Sequence, residues 1–459
     1  MDTLTSPAVL LWVLPSLVLL SVSFTTLLLL LPPRYESNGR RHIVVLVLGD
    51  IGRSPRMQYH ALSIARNKGE VSLVCYNETL PRPELLENNN ITIVPLPLPP
   101  KWLDTSTPVK FLAFAPFKAL YQLFSLFNIL LYKVPTHASH ILLQNPPSIP
   151  TMFAAFVVGK LRGQLVVVDW HNFGWSILKL KLKEHPLVAL AELYEWGFAK
   201  TADAHFTVTN AFTAHLRESW GLGKASKVHT LYDRPPAHFQ PFDSEQRAEF
   251  LHSHPALKKH ADRILKGETK FIVTSTSWTA DEDFTLFLSA IHSYDCWISA
   301  ENFLHPGSQP NLLVIITGRG PMRIPYLHTI EGLELQNSEI ESVWLESEDY
   351  PKMIASADLG ISLHTSSSGL DLPMKVVDLF GVGVPVAAVR FDCLGELVKE
   401  GENGMMFDDA KGLEEILKQL FIKEPKQLEI LKKGAMKETE GDKRWDVNWD
   451  KVAKPVLGL

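Results

Sequence analysis

The stretch Arg41–Tyr76, "RHIVVLVLGDIGRSPRMQYHALSIARNKGEVSLVCY", decides the fold. Its apolar run Ile43–Leu48 lacks polar alternation and reads as a strand buried on both faces, the habit of a parallel sheet. A loop with two glycines follows, then a helix-like segment, then a second short strand at Val71–Cys75. Strands alternating with helices indicate a doubly wound parallel sheet that presents ligands at the carboxyl ends of its strands.

Working outward, the pattern repeats. "ITIVPLPLP", "HILLQNPP", "LVVVDWHNFGW" and "AHFTVTN" continue the first series. A second series runs "FIVTSTSWTADEDF", "LLVIITGRGPMR", "SVWLES", "DLGISLHTSS", "VPVAAV", "GMMFDD". A charged stretch, Asp243–Lys266, lies between them. The expected organisation is two α/β domains over 36–240 and 268–435, a linker region over 241–267 and a helical tail over 436–459. The chain has 459 residues, 46% hydrophobic and 21% charged, enough for a globular core of this kind. A net charge of -5 argues against a nucleic-acid partner. Three widely spaced cysteines argue against a disulfide framework and a zinc site, and for a reducing compartment.

The N-terminus differs in kind. "SPAVLLWVLPSLVLLSVSFTTLLLLLPP" lies within the uncharged run between Asp2 and Arg34. A bilayer core takes about 20 apolar residues, whereas the apolar part of a signal peptide takes about 7–15. Residues 1–35 therefore read as a single transmembrane anchor. Arg34, Arg40 and Arg41 follow it, so the positive-inside rule puts the N-terminus in the lumen and the remainder in the cytosol. The sequons at Asn77 and Asn90 would then carry no glycan. A second greasy segment, Val109–Val134, is interrupted by Lys110, Lys118 and Lys133. It reads as a second span, a core helix or an interfacial helix.

Candidate chemistry sits where the strands end. Gly49 and Gly52 permit a tight turn, and Arg53 and Arg56 follow at a helix start, where free N–H groups favour an anion of the substrate. Asp169 and His171 close the strand "LVVVDWH", and a histidine beside a carboxylate is a candidate general base. In "SWTADEDF", Asp281-Glu282-Asp283 resembles a D-x-D metal signature, but its place suits acids opening a helix. Gly318, Arg319 and Gly320 follow a strand and suit a diphosphate, with Arg323 nearby. In "SSSGLDLPMKVVDLFG", Asp371 is expected to cap a helix with Pro373 in its first turn. Asp371, Lys375 and Asp378 would share one face, with Lys375 awaiting an anion and Asp378 accepting from ribose or sugar hydroxyls.

These motifs resemble the GT-B class: two Rossmann-like domains facing across a cleft, with the nucleotide sugar on the C-terminal one and the acceptor on the N-terminal one. "GDIGRSPRMQYHA", "DWHNFGWS", "SWTADEDF", "ITGRGP", "SADLGISLHTSSSGLDLPMKVVDLFG" and "ELVKEGENGMMF" more closely resemble the chitobiosyldiphosphodolichol β-mannosyltransferase family. The resemblance implies transfer of a β-1,4 mannose from GDP-mannose to GlcNAc2-diphosphodolichol at the cytosolic face of the endoplasmic reticulum membrane. That reaction serves lipid-linked oligosaccharide assembly for N-glycosylation, beside other mannosyltransferases of the same pathway. An α-linked donor and a β-linked product mean inversion, which needs a base and a group that stabilises the leaving diphosphate. The resemblance implies His171, Asp169 or Asp50 as base. It implies Gly318, Arg319, Gly320, Asp371 and Lys375 on the phosphates, and Asp378 and Glu396 on ribose or mannose. Gly49, Gly52, Arg53 and Arg56 fall to the acceptor. No tightly bound cofactor is implied, and no motif demands a divalent metal. Two departures from the wider class stand out. Leu370 occupies the first of two acidic positions eight apart, and "TSTSWTADEDF" lacks an Arg…Lys pair. The rival readings are a non-catalytic GT-B-like membrane subunit that recruits another glycosyltransferase, and a transferase of the same fold using another sugar.

Overall fold

The computed structural model describes Ser21 and residues 33–459, except 224–226, 280, 281, 306 and 308. The expected anchor over 1–35 therefore lies almost wholly outside the described residues, as does Asp281.

Among the described residues, thirteen strands form two sheets. The first contains β1 (His42–Asp50), β2 (Glu70–Tyr76), β3 (Ile91–Pro95), β4 (Ala138–Asn145), β5 (Leu165–Trp170), β6 (Ala204–Thr207) and β7 (Val228–Thr230). The second contains β8 (Thr269–Ser275), β9 (Asn311–Thr317), β10 (Ser338–Val343), β11 (Leu359–Ser362), β12 (Val386–Val389) and β13 (Gly404–Phe407). The first sheet runs in the order β3-β2-β1-β4-β5-β6-β7, the second β10-β9-β8-β11-β12-β13. Both orders step outward, return to the middle and step outward the other way, the doubly wound signature expected of Rossmann-like domains. Ligands in such sheets bind where the order reverses, at the carboxyl ends of β1 and β4 in the first and of β8 and β11 in the second. Val44–Val47 in β1 and Leu313–Ile316 in β9 are fully buried, as central parallel strands require.

One strand, β7, lay outside the expectation and is only three residues long. β10 shares only Ser342 and Val343 with the quoted "SVWLES" and starts earlier, in an alternating Glu/Ile/Glu run that suits a half-exposed edge. Within 241–267, Asp243 and Gln246 form a capping box that opens α7 (Ser244–Ser253). Phe250, Leu251, Leu257 and Ile264 from this stretch are buried in the core of the second sheet. The tail is helical at Trp445–Leu457, and its first amide donates to Pro235 O at 3.1 Å.

The chain falls into two compact units. One is Met1–Val168 with Gly197–Asp203, and the other is Asp169–Trp196 with Ala204–Leu459. In the first unit, α2 (Pro108–Tyr132) carries the greasy segment. Val109, Phe117 and Phe124 are 78%, 58% and 65% exposed, while Leu126, Ile129 and Leu130 are buried. Only its last turns therefore behave as a core helix. Its length and composition are sufficient to cross a membrane.

Candidate active site

In the first unit, β1 ends at the turn Gly49–Arg53. Asp50 Oδ1 accepts the amides of Glu78 and Thr79 at 3.1 and 3.0 Å, and the Thr79 hydroxyl donates to Oδ2. Burial works to raise the Asp50 pKa, but these hydrogen bonds outweigh it and hold the carboxyl below its ordinary range. Gly52 is needed for that contact, since a Cβ there would lie 2.3 Å from Thr79 Oγ1. Arg53 is exposed and pairs with Asp50 at 3.6 Å, whereas Arg56 is buried in the first turn of the helix Pro55–Arg66. Gly49 is uncrowded. The carboxyl end of β1 is thus built to fix the loop at 78–79.

The second unit gathers the other candidates at the ends of β5, β6, β8, β9, β11 and β12. Asp169, next to last in β5, is fully buried, and its Oδ2 lies 2.7 Å from His171 Nε2. No partner for His171 Nδ1 occurs among the described residues, so a buried carboxylate orients a ring whose second nitrogen can accept a proton. The next residue, Asn172, ties this loop to the β11 loop. Its Nδ2 donates to Ser367 Oγ at 3.1 Å and to Asp371 Oδ1 at 3.0 Å. Thr209, after β6, donates to Leu370 O at 2.6 Å.

Asp371 does not cap the helix. α11 (Met374–Gly381) starts three residues later with Pro373 at its N-cap and no side-chain cap. Proline supplies a fixed φ there and no side-chain acceptor. Asp371 instead organises the serine loop, accepting from Ser366 and Ser368, with His364 Nε2 at 3.5 Å from Oδ2.

Lys375 pairs with Glu282, a residue read from sequence as part of a D-x-D-like or helix-opening acidic run and not as a lysine's partner. Glu282 is buried and also accepts Thr276 Oγ1 at 2.5 Å and the Ser277 amide at 2.9 Å. Its backbone bridges His364, joining the β8 and β11 loops. Asp283, by contrast, caps α8 (Phe284–Leu304), accepting the amides of Thr285 and Leu286. Ser-Trp-Thr after β8 and Gly-Arg-Gly after β9 press together. A Cβ on Gly318 would sit 1.8 Å from Thr276 O, and one on Gly320 1.7 Å from Ser277 O. Trp278 holds a positive φ of 48°, rare for a bulky residue, while its Nε1 donates to Gly318 O at 3.2 Å. Arg319 lies over the Trp344 ring at 3.7 Å, and Arg323 reaches Ser342 Oγ at 3.3 Å.

Asp378 meets the Tyr350 hydroxyl at 3.2 Å. Burial pushes its pKa up to about 7, with Asp233 adding repulsion against the partial relief of the Tyr350 bond. Glu396 occupies another place. Its oxygens accept the amides of Asn210 and Ala211 at 2.8 and 2.7 Å, and Tyr232 donates to it at 2.7 Å. It therefore neutralises the start of α6 (Asn210–Glu218).

The structure thus brings Asp169 and His171 to Asp371 through Asn172, and Lys375 to the β8 loop through Glu282. Reading along the chain could not pair Glu282 with Lys375, because neither position carries a periodic signal.

Residues 52–233 match a model described as "Glycosyl transferase 4-like domain", and residues 317–452 one described as "Glycosyl transferase-like". A Mus musculus chitobiosyldiphosphodolichol β-mannosyltransferase is 40% identical, across 96% of this chain and 94% of its own. UDP-glycosyltransferase TURAN of Arabidopsis thaliana is 38% identical, across 91% and 97%. The crystal structure of Anabaena HepE in complex with UDP-glucose has a TM-score of 0.61 at 15% identity, across 91% of this chain and 100% of that one, so it shares the GT-B fold.

Proposed function

The chain belongs to the chitobiosyldiphosphodolichol β-mannosyltransferase family, and on that premise we propose that it transfers mannose from GDP-mannose to GlcNAc2-diphosphodolichol with inversion. It is a glycosyltransferase, and its donor is a nucleotide sugar. The observation that carries the reading is the Asp169–His171 pair at the end of β5, one residue from the asparagine that holds the serine loop.

In this reading His171 Nδ1 takes the proton of the acceptor hydroxyl as it attacks the anomeric carbon. Asp169 fixes the ring and stabilises the imidazolium that results. Asp50 is assigned to anchoring, because hydrogen bonds already stabilise its charged form and make it a weaker base. The leaving diphosphate is met by Lys375 and by the amides of Gly318–Gly320, which stabilise the negative charge it gains as the glycosidic bond to the donor breaks. Glu282 aims the Lys375 ammonium. Asp378 receives a ribose or sugar hydroxyl, and Glu396 positions α6 rather than touching sugar. Gly49, Gly52, Arg53 and Arg56 frame the acceptor side. The protein works at the endoplasmic reticulum membrane with its catalytic domains in the cytosol, and the exposed face of α2 suits that setting.

The test is transfer by the purified full-length protein to lipid-linked chitobiose, with GDP-mannose and UDP-sugars offered separately. Mannose from GDP-mannose alone is expected. Transfer from a UDP-sugar instead would move the donor assignment to the specificity that the Arabidopsis relative's name carries, and transfer from neither would end the enzyme reading.

A further inference from the structure

The amino ends of the first sheet carry a group that the transfer chemistry does not use. Parallel register sets His42 on β1 beside Glu70 on β2 and beside Ala138 on β4, and His137 directly precedes Ala138. The three side chains converge at the edge opposite Asp50. His42 Nδ1 and His137 Nε2 each lie 3.3 Å from the same oxygen, Glu70 Oε2. The ligand atoms of all three residues lie within 4.8 Å of one another. A tetrahedral ion with bonds of about 2.0 Å spaces its ligands about 3.3 Å apart, so both nitrogen–oxygen spacings already suit one.

The surroundings fit as well. His42 is buried, while the Glu70 and His137 side chains are 26% and 28% exposed, which leaves an approach from solvent. The second ring nitrogen of His42, Nε2, lies 2.8 Å from Ser72 Oγ, the kind of outer hydrogen bond that orients a metal-bound imidazole. In the tautomer whose Nε2–H donates to Ser72 Oγ, the Nδ1 lone pair is available to a cation held beside the Glu70 carboxylate. Arg40 meets the far oxygen, Oε1, at 3.3 Å through a side chain 70% exposed, which can turn away without loss of packing.

We propose that His42, Glu70 and His137 bind one divalent transition cation of the zinc class, with water in the fourth position, stapling β2, β1 and β4 at their starts. A comparable group, His260 with Glu339 and Glu341, does not qualify. Lys259 Nζ already sits 2.5 and 2.6 Å from its two carboxylates and supplies the positive charge. The cysteine count argued against zinc, but these ligands are 28 and 67 residues from one another along the chain, so only the strand register reveals them.

The experiment uses the full-length protein in detergent, free of any histidine tag and stripped by a chelator. It is titrated with Co²⁺ and Zn²⁺. One ion per chain, a tetrahedral cobalt spectrum and a zinc-dependent rise in melting temperature are expected. His137→Ala and Glu70→Gln should each weaken binding by more than about tenfold, since loss of even an outer partner costs about 10–100-fold. His260→Ala should leave binding unchanged. Should Glu70→Gln fail to fold by circular dichroism, His137→Ala at its partly exposed position decides. Absence of a bound ion at micromolar zinc, or full binding by His137→Ala, would overturn the proposal.

Discussion

Replacing Gly320 with alanine places a methyl group 1.7 Å from Ser277 O and 2.9 Å from Trp278 Cβ. Cβ atoms do not approach a backbone oxygen within 3.0 Å, so the β8 and β9 loops must part by about 1.3 Å. Those loops hold Glu282, which aims Lys375, and the amides assigned to the diphosphate. A misplacement of about 1 Å in a catalytic site costs on the order of 10²-fold. Overpacking costs about 1–3 kcal/mol, roughly 2–10 °C in melting temperature for a domain of this size. Gly320→Ala should therefore stay folded at assay temperature yet lose GDP affinity and about 10²-fold in kcat/KM for the donor. Calorimetric GDP titration, thermal melting and initial-rate transfer measure the three effects. Gly197→Ala is the control, because nothing lies within 4 Å of its added methyl. Wild-type GDP affinity and transfer in a folded Gly320→Ala protein would refute the placement of the donor at these loops.

Other changes separate the assigned roles. His171→Ala should lower kcat by about 10²–10⁴-fold with GDP affinity kept, while Asp50→Asn should cost far less in kcat and more in protease resistance around 78–79. Lys375→Ala strips the cation from buried Glu282 and should destabilise by about 3 kcal/mol. The double variant Lys375→Met with Glu282→Gln should recover that stability in thermal melts but not GDP affinity. Asp378, with its pKa pushed up to about 7, carries a stability cost that is absent below the ordinary carboxyl range and grows as pH rises toward 7. Asp378→Asn should therefore raise melting temperature by several degrees at pH 8 and by little at pH 4.

The doubly wound sheets were legible because buried parallel strands leave continuous apolar runs, as at Ile43–Leu48 and Leu312–Ile316. Short or half-exposed strands leave no such trace, which hid β7 and the start of β10. Loop chemistry was legible in kind but less so in partner. Asp169 and His171 are two residues apart, so the chain itself places them together. Lys375 and Glu282 are 93 apart, and Glu396 reaches Asn210 over 186, so their pairing follows only from the order of strands. The expected cap at Asp371 failed because the local signal, an acid two residues before proline, suited both a helix start and a serine-loop anchor. Asn172 and Ser367 decide between them.

The most direct measurement is the anomeric configuration of the sugar added when purified full-length protein meets GDP-mannose and GlcNAc2-diphosphodolichol. A single β-linked mannose, its formation slowed about 10²–10⁴-fold by His171→Ala and impaired by Asp169→Asn, is the predicted result. An α-linked product, or full transfer by His171→Ala, would contradict the account.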